Sequence, residues 1–357
     1  MAIISDNSDL LTGKSNQNRK KNPIIKPETI EYDNTFENNI RPKDFDSYIG
    51  QSALKETLKV ILESAKKRGK PLDHMLFYGP PGLGKTTIAG VIASQMGVDI
   101  KITSAPALER PRDIIGILMS LKGGEILFID EIHRLNKVAE EILYPAMEDF
   151  TLDMTTGKSQ TAKTLRVPLP KFTLIGATTK AGELSSPLRD RFGMIHRLEF
   201  YSVEELAKVV QRTAKILDIN VTEEGAVAIG KRSRGTPRIA NRLVKRVADF
   251  AIVKYDGLID EKVANESLDI LKIDEFGLDN TDRALLNLII DKYDGGPVGI
   301  ETIAAALSED VRTIEDVCEP YLLQAGLIQR TPRGRKVSPE GYRHLGKSIG
   351  SEQTKLF

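Results

Sequence analysis

The eight residues Gly79-Pro-Pro-Gly-Leu-Gly-Lys85-Thr86 restrict the possible folds more than any other stretch of this chain. They match G-x-x-x-x-G-K-[ST], a loop that needs a strand before it and a helix after it. Glycines such as Gly82 and Gly84 let backbone N–H groups curl around phosphate oxygens. The following helix turns the positive end of its dipole to the same point. Both flanks have the required character. His74 to Tyr78 is a short apolar run leading into glycine, and Thr86 to Met96 has a helical pattern. The loop therefore predicts an ATP site. Lys85 places a cation on the β- and γ-phosphates, the Thr86 hydroxyl is a ligand for Mg²⁺, and Thr87 belongs to the same turn.

A second segment supports the first. Ile126-Leu-Phe-Ile-Asp130-Glu131 is an apolar strand that ends in two carboxylates. Charge at the C-terminal tip of a buried strand lies where α/β folds bind ligands. Asp130 would hold Mg²⁺, usually through water, and Glu131 would polarise the attacking water. His133 reads as a structural neighbour. Glu125 to Ile129 and Phe172 to Ala177 read as further buried strands, and Ser52 to Lys67 as an amphipathic helix. Strands alternating with helices indicate a mostly parallel sheet covered on its faces. Between two of the strands, the region 150–171 has apolar flanks about Thr-Gly-Lys-Ser-Gln, the second flank alternating strictly, and it reads as a long β-hairpin. Pro168 and Pro170 mark its edge or its return.

At 357 residues the chain calls for two or three domains. Residues 1–38 read as a polar tail without enough apolar surface to fold, and Arg19-Lys20-Lys21 within it reads as a solvated charge run. Residues 39–201 form the α/β core. Residues 202–273 form a small all-α domain, with helical patterns over Val203 to Leu217, Glu223 to Ser233, Ile239 to Tyr255 and Asp260 to Leu271. Residues 274–357 carry three more helical patterns, Asp282 to Asp291, Ile300 to Leu307 and Val311 to Gln324, then a basic turn at Thr331-Pro-Arg-Gly-Arg335. That order resembles a winged helix, with Arg330, Arg333 and Arg335 on the wing. Net charge is +1, so any nucleic-acid contact needs a local patch. Guanidinium groups on a wing bind backbone phosphates without reading sequence. No aromatic platform for single strands is apparent, which favours duplex. Cys318, the single cysteine, reads as an inert core residue and fits a reducing cytoplasm. No run approaches the roughly 20 apolar residues of a membrane span, and the first residues lack the pattern of a secretory signal.

These pieces carry a resemblance. The P-loop, Asp130-Glu131, Gly176-Ala-Thr-Thr179 and Ser186-Pro-Leu-Arg-Asp-Arg191-Phe-Gly193 are similar to the AAA+ ATPases. Gly235-Thr-Pro-Arg238 and Gln329-Arg-Thr-Pro-Arg-Gly-Arg335 narrow the likeness to the RuvB family of Holliday-junction branch-migration motors, over Ile40 to Gly346. The resemblance implies an AAA+ core with a β-hairpin insertion, a small all-α lid and a winged-helix head. It implies that Thr179 senses the γ-phosphate. Arg191, preferred over Arg189, is the arginine finger given to a neighbouring subunit, and Arg238 is a second sensor reaching back from the lid. Ile40 and Arg41 would flank the adenine, Ile40 standing where the family often has leucine. Tyr201 would be the hinge contact, and Glu148-Asp149-Phe150 a nucleotide-site segment with no mechanism legible in its residues. Arg330 and Arg335 would touch DNA. The implied assembly is a homohexamer around duplex DNA that docks on RuvA through the hairpin, works with RuvC, and serves recombination and DNA repair. Two other readings share the nucleotide motifs. A clamp loader would end in a helical collar, not a basic wing. A transcriptional activator of the ATPase type would carry a Gly-Ala-Phe-Thr-Gly-Ala loop, which is not found.

Overall fold

The short apolar runs become the inner strands of one parallel sheet. The computed structural model describes residues 40–156 and 163–348. The polar tail of 1–38 and the middle of the hairpin lie outside them. The strands are β1 (Met75–Tyr78), β2 (Ile100–Ser104), β3 (Ile126–Asp130), β4 (Thr151–Thr156), β5 (Lys163–Pro168), β6 (Thr173–Thr178) and β7 (Met194–Arg197). Five of them pair in the order β2-β3-β6-β1-β7, all parallel. Side chains alternate across the sheet. Met75, Phe77, Ile126, Phe128, Ile175 and Ala177 enter one buried cluster, while Leu76, Leu127, Ile129 and Leu174 enter the other. Burial on both faces explains why β6 reads as a continuous apolar run. Sequence patterning located β1, β3 and β6 but not β2 and β7. Those two are the edge strands, short and half-exposed, with lysine, histidine and arginine mixed in.

The register decides which residues meet. Tyr78 stands opposite Thr178, and Ile129 opposite Gly176. The loop after β1, the carboxylates after β3 and the residues after β6 therefore emerge at one edge. The hairpin β4–β5 pairs antiparallel as its own two-stranded sheet, with Pro168 as its last residue opposite Thr151.

Four helices follow Tyr201: Val203–Ile216, Glu223–Lys231, Pro237–Lys254 and Glu261–Ile270. The first opens with a capping box, in which the Ser202 hydroxyl accepts from the Glu205 amide at 3.2 Å and the Glu205 carboxylate accepts from the Ser202 amide at 2.9 Å. Their apolar faces are continuous with the first sheet cluster, through Leu206, Val210, Val244 and Leu268. A pair of two-residue strands, β8 (Asn220–Val221) and β9 (Leu258–Ile259), adds a parallel bridge that patterning had not shown.

The last part has its own core, running from Leu278 to Tyr342. Helices Asn280–Tyr293 and Ile300–Leu307 are followed by a helical stretch from Val311 to Gln324, then by strands β10 (Ile328–Thr331) and β11 (Gly334–Val337). The stretch from Val311 is interrupted by a π turn at Ile314–Cys318. Pro320 has no N–H to give the preceding turn, and the winding loosens there. Gly334 is required where the wing crosses the Gly296–Val298 segment, because a Cβ on it would lie 2.2 Å from the Val298 carbonyl oxygen. Cys318 is buried, and burial pushes its thiol up to about 12, as an inert core residue requires. From Pro42 on, the described residues pack as one unit. Among them, no helix is long and apolar enough to cross a membrane.

Candidate functional site

The loop after β1 takes the shape its glycines permit. Gly79, Gly82 and Gly84 have φ of 143°, 83° and 94°, values that side chains with a Cβ rarely adopt. The helix Lys85–Met96 starts on Gly84 with no side-chain cap, which leaves its first N–H groups for an anion. Lys85 is buried. Its Nζ donates to the Gly79 carbonyl at 2.7 Å and the Pro80 carbonyl at 3.0 Å. Burial pulls its pKa down to about 8, opposed by Asp130 and Glu131 and reinforced by Arg238. Phosphate charge beside Lys85 would raise that value again. ATP binding at pH 8 is therefore expected to take up about half a proton per site. Calorimetry in buffers of different ionisation enthalpy checks this, and a buffer-independent heat would contradict it.

Asp130 closes β3, and its Oδ1 accepts from the Glu131 amide at 2.9 Å. Glu131 itself has φ of 49°, a left-handed backbone that a glutamate seldom takes. The turn aims its carboxylate along the edge toward β6. There the Thr179 hydroxyl donates to Glu131 Oε2 at 3.3 Å. His133 Nδ1 lies 3.3 Å from the same oxygen and 2.9 Å from the buried Thr178 hydroxyl, which also accepts from the Lys180 amide at 2.9 Å. Burial holds His133 below its usual pKa against the pull of Glu131. His133 is thus more than a neighbour in sequence, since it touches Glu131 and steadies the end of β6. Thr86 and Thr87 open the helix behind Lys85. A threonine hydroxyl and an aspartate are the hard oxygen donors that suit Mg²⁺, which prefers to keep water and phosphate among its ligands.

The lid closes on the same loop. The Arg238 amide donates to the Gly82 carbonyl at 3.4 Å, and a Cβ on Gly82 would lie 3.3 Å from the Arg238 Cβ. Tyr201 is buried, its amide donates to the Gly235 carbonyl at 2.9 Å, and its hydroxyl lies 3.4 Å from the Leu83 carbonyl oxygen and from the Tyr48 hydroxyl. Tyr48 was not legible as part of the site. Ile40 is buried and Arg41 half-buried.

Arg191 is held elsewhere. Its Nη2 lies 3.1 Å from Glu148 Oε1, its Nη1 donates to the Pro187 carbonyl at 2.5 Å, and its Cζ sits 4.4 Å from the centre of the Tyr144 ring. Tyr144 is oriented by Glu140, which accepts its hydroxyl at 3.0 Å and the Ser185 hydroxyl at 2.6 Å. The charged groups that act on Lys85 include Asp130, Glu131 and Arg238, whereas the contacts of Arg191 are with Glu148, Pro187 and Tyr144. The structure therefore brings Lys85, Asp130, Glu131, Thr179, Tyr201 and Arg238 to one edge, and groups Arg191 with Glu148 in a second cluster. Asp149 follows as an exposed helix end, and Phe150 (φ 52°) packs edge-on against Phe172 with centroids 5.9 Å apart. The pairing of Glu148 with Arg191 gives the Glu148-Asp149-Phe150 segment a physical context that its sequence lacked.

On the wing, Arg330 and Arg335 are cross-strand partners. Both reach the same carboxylate. Arg335 forks onto Glu319 with distances of 3.1 and 2.9 Å, and Arg330 Nε lies 3.3 Å from Glu319 Oε1. Their exposure differs: the Arg330 side chain is 56% exposed, that of Arg335 12% and that of Glu319 3%. Arg333 is exposed at the turn. Glu319 gave no signal in the sequence, because it sits on the helix before the wing, where a lone glutamate does not name its partner.

Known proteins match this architecture over nearly its whole length. Residues 40–198 match the family described as the Holliday junction DNA helicase RuvB P-loop domain, 201–274 the RuvB AAA lid domain, and 275–346 the RuvB C-terminal winged helix domain. A Holliday junction branch migration complex subunit RuvB of Crocosphaera subtropica is 58% identical over 345 residues, 97% of each chain. One from Nostoc punctiforme is 57% identical, over 94% of this chain and 92% of that protein. Among solved structures, the RuvB Holliday junction branch migration motor of Thermotoga maritima superposes with a TM-score of 0.80 at 48% identity, covering 87% of this chain and 100% of that one. With three family domains in order and identity of this extent, the chain belongs to the RuvB family of P-loop ATPases.

Proposed function

We propose that this chain is the ATP-driven motor of a branch-migration complex, which moves duplex DNA through a ring to shift Holliday junctions. The observation that carries the reading is the division of the site. The phosphate loop, Glu131, Thr179 and Arg238 share one sheet edge, while Arg191 sits apart with Glu148 and Tyr144. A site whose finger must come from another copy needs a ring, taken here as a homohexamer. In hydrolysis, Lys85 exchanges the Gly79 and Pro80 carbonyls for phosphate oxygens. Glu131 orients the attacking water, held by Thr179, and Arg238 reaches the phosphates from the lid. Mg²⁺, held by Thr86 and Asp130, would neutralise charge between the β- and γ-phosphates when bound. The arginine of a neighbour stabilises charge that develops only in the transition state.

Arg330 and Arg335 face the DNA backbone in this reading. The hairpin within 150–171 docks on RuvA, RuvC joins the larger complex, and the work is done in the cytoplasm. Ile40, Arg41 and Phe150 are assigned to nucleotide contacts on the family pattern. The two wing arginines should behave differently when replaced. Arg330→Ala is expected to weaken DNA binding and to reduce the slope of log affinity against log salt by about one. Arg335→Ala takes the fork from a buried carboxylate and is expected to cost on the order of 3 kcal/mol of stability as well. Salt titrations and urea melts separate the two effects. Equal stability of both variants would contradict the burial argument.

The function is tested with RuvA, ATP, Mg²⁺ and a synthetic four-way junction. Resolution into duplex arms that needs ATP and is lost in Lys85→Ala supports the motor. DNA-stimulated hydrolysis without junction movement would turn the reading toward a clamp-loader-like switch.

A further inference from the structure

Among the described residues, the head meets the lid and the sheet domain through junctions of unequal strength, and on the lid side Arg283 donates to the Lys272 carbonyl at 2.7 Å. The loop Ser233–Thr236 makes the first. Its far end leads to Arg238, whose amide meets the Gly82 carbonyl of the phosphate loop, and its Gly235 carbonyl accepts from Tyr201. Arg234 points the other way, into the head. It is buried, with a left-handed backbone at φ 50°. Its Nε donates to the Gly277 carbonyl at 2.7 Å, its Nη2 lies 2.9 Å from Asp279 and bonds Asp282, and its guanidinium carbon is 5.9 Å from the centre of the Tyr321 ring. Asp279 and Asp282 form the capping box of the head's first helix, so Arg234 grips the base of that helix. The connecting segment is pressed on the lid as well. A Cβ on Gly277 would lie 2.4 Å from the Arg232 carbonyl oxygen, and Arg232 itself donates to the Ile273 carbonyl at 2.8 Å.

The second junction joins the head to the sheet domain. Lys180, just after β6, lies 3.3 Å from Asp316 and 3.8 Å from Glu315. All three side chains are partly exposed. Exposed ion pairs are screened and contribute little. A buried guanidinium that is forked onto two carboxylates and a carbonyl is costly to pull apart. When the lid turns against the sheet, the head must follow the stronger junction.

We propose that Arg234 is the positioning residue that passes lid movement to the DNA-binding head, so that lid and head turn together and the Lys180 bridge gives way. The proposal rests on the reading of the chain as a branch-migration motor. Only three residues separate Arg234 from Arg238, so a nucleotide-dependent shift at the phosphate loop has a short path to the head. Glu315 belongs to the Lys180 junction, and it also sits 3.3 Å from Arg330.

The measurement is the ratio of junction movement to ATP hydrolysed, in full rings with RuvA on a four-way junction. The double variant Arg234→Met with Asp282→Asn removes both buried charges. It is expected to lower the ratio on the order of tenfold or more, with hydrolysis and junction binding within about twofold of wild type. A residue needed only for folding would lower all three together. Lys180→Ala is expected to leave the ratio within about twofold. An unchanged ratio in the double variant overturns the proposal, and so does uncoupling by Lys180→Ala alone. If the double variant does not fold, Arg234→Lys decides, since it keeps the charge and loses the fork. Partial uncoupling in a folded ring supports the lever, and full coupling overturns it. A wild-type ring that hydrolyses ATP and moves no junction would defeat the motor reading, and the lever with it. A moving wild type with fully coupled Arg234 variants defeats the lever alone.

Discussion

Arg191→Ala is expected to slow ATP turnover by about 10³- to 10⁵-fold while ATP affinity stays close to that of the wild type. The size follows from timing. A guanidinium that meets phosphate oxygens only as charge builds in the transition state adds nothing to ground-state binding. In the single chain, Arg191 spends its hydrogen bonds on Glu148 and the Pro187 carbonyl, and lies over Tyr144. Its Nε is buried with no hydrogen-bond partner. Such a side chain is held ready at a surface, and Glu148 is the contact it would trade for a neighbour's phosphate. On the proposed role, the distinguishing property is action in trans. Doping variant subunits into wild-type rings should depress hydrolysis more steeply than in proportion to the added fraction. Single-turnover hydrolysis across a mixing series measures this. A linear series, or normal turnover by rings made wholly of the variant, would remove Arg191 from the role.

Glu131→Gln is expected to keep ATP bound and to lower hydrolysis by about 10²- to 10⁴-fold. The change is nearly isosteric. A glutamine oxygen can still accept from the Thr179 hydroxyl, so the edge formed by Glu131, His133 and Thr178 should keep its shape. What is lost, on the proposed role of Glu131, is the negative charge that would polarise a water. Retained nucleotide in filtered rings, together with a collapsed single-turnover rate, is the expected pattern. Loss of ATP binding in this variant would instead mark Glu131 as a structural support of the left-handed turn after β3. Turnover near that of wild type would show that another group activates the water.

Local chemistry made part of this legible in the residues. Gly79 to Thr86 announced a strand, a phosphate loop and a helix, and the helix begins within one residue of the expected start. The buried strands β1, β3 and β6 were readable because burial on both faces leaves continuous apolar runs. The edge strands β2 and β7 were not, since half-exposed strands of four or five residues share their composition with loops. The hairpin's alternation, the lid helices and the wing were also visible, because periodicity and turn residues encode them locally. Within the site, Lys85, Asp130 and Glu131 stood out by spacing. Thr179, Arg191, Arg238 and Tyr201 carry no such local signature and came only with the family likeness.

The sequence by itself determined the elements and the chemistry of the phosphate loop. Backbone freedom at glycine, hydrophobic period and capping act over a few residues and need no knowledge of the rest of the chain. The tertiary structure alone decided the pairings. It set Arg191 on Glu148 and Tyr144, put His133 against Glu131, closed Arg335 on the buried Glu319, and drove Arg234 into Asp279 and Asp282. Most of these join residues distant in the chain, and a charged side chain has no periodic signature that names its partner. Which carboxylate a guanidinium reaches depends on where the sheet register, the lid and the head place both ends, and only the folded chain contains that distance.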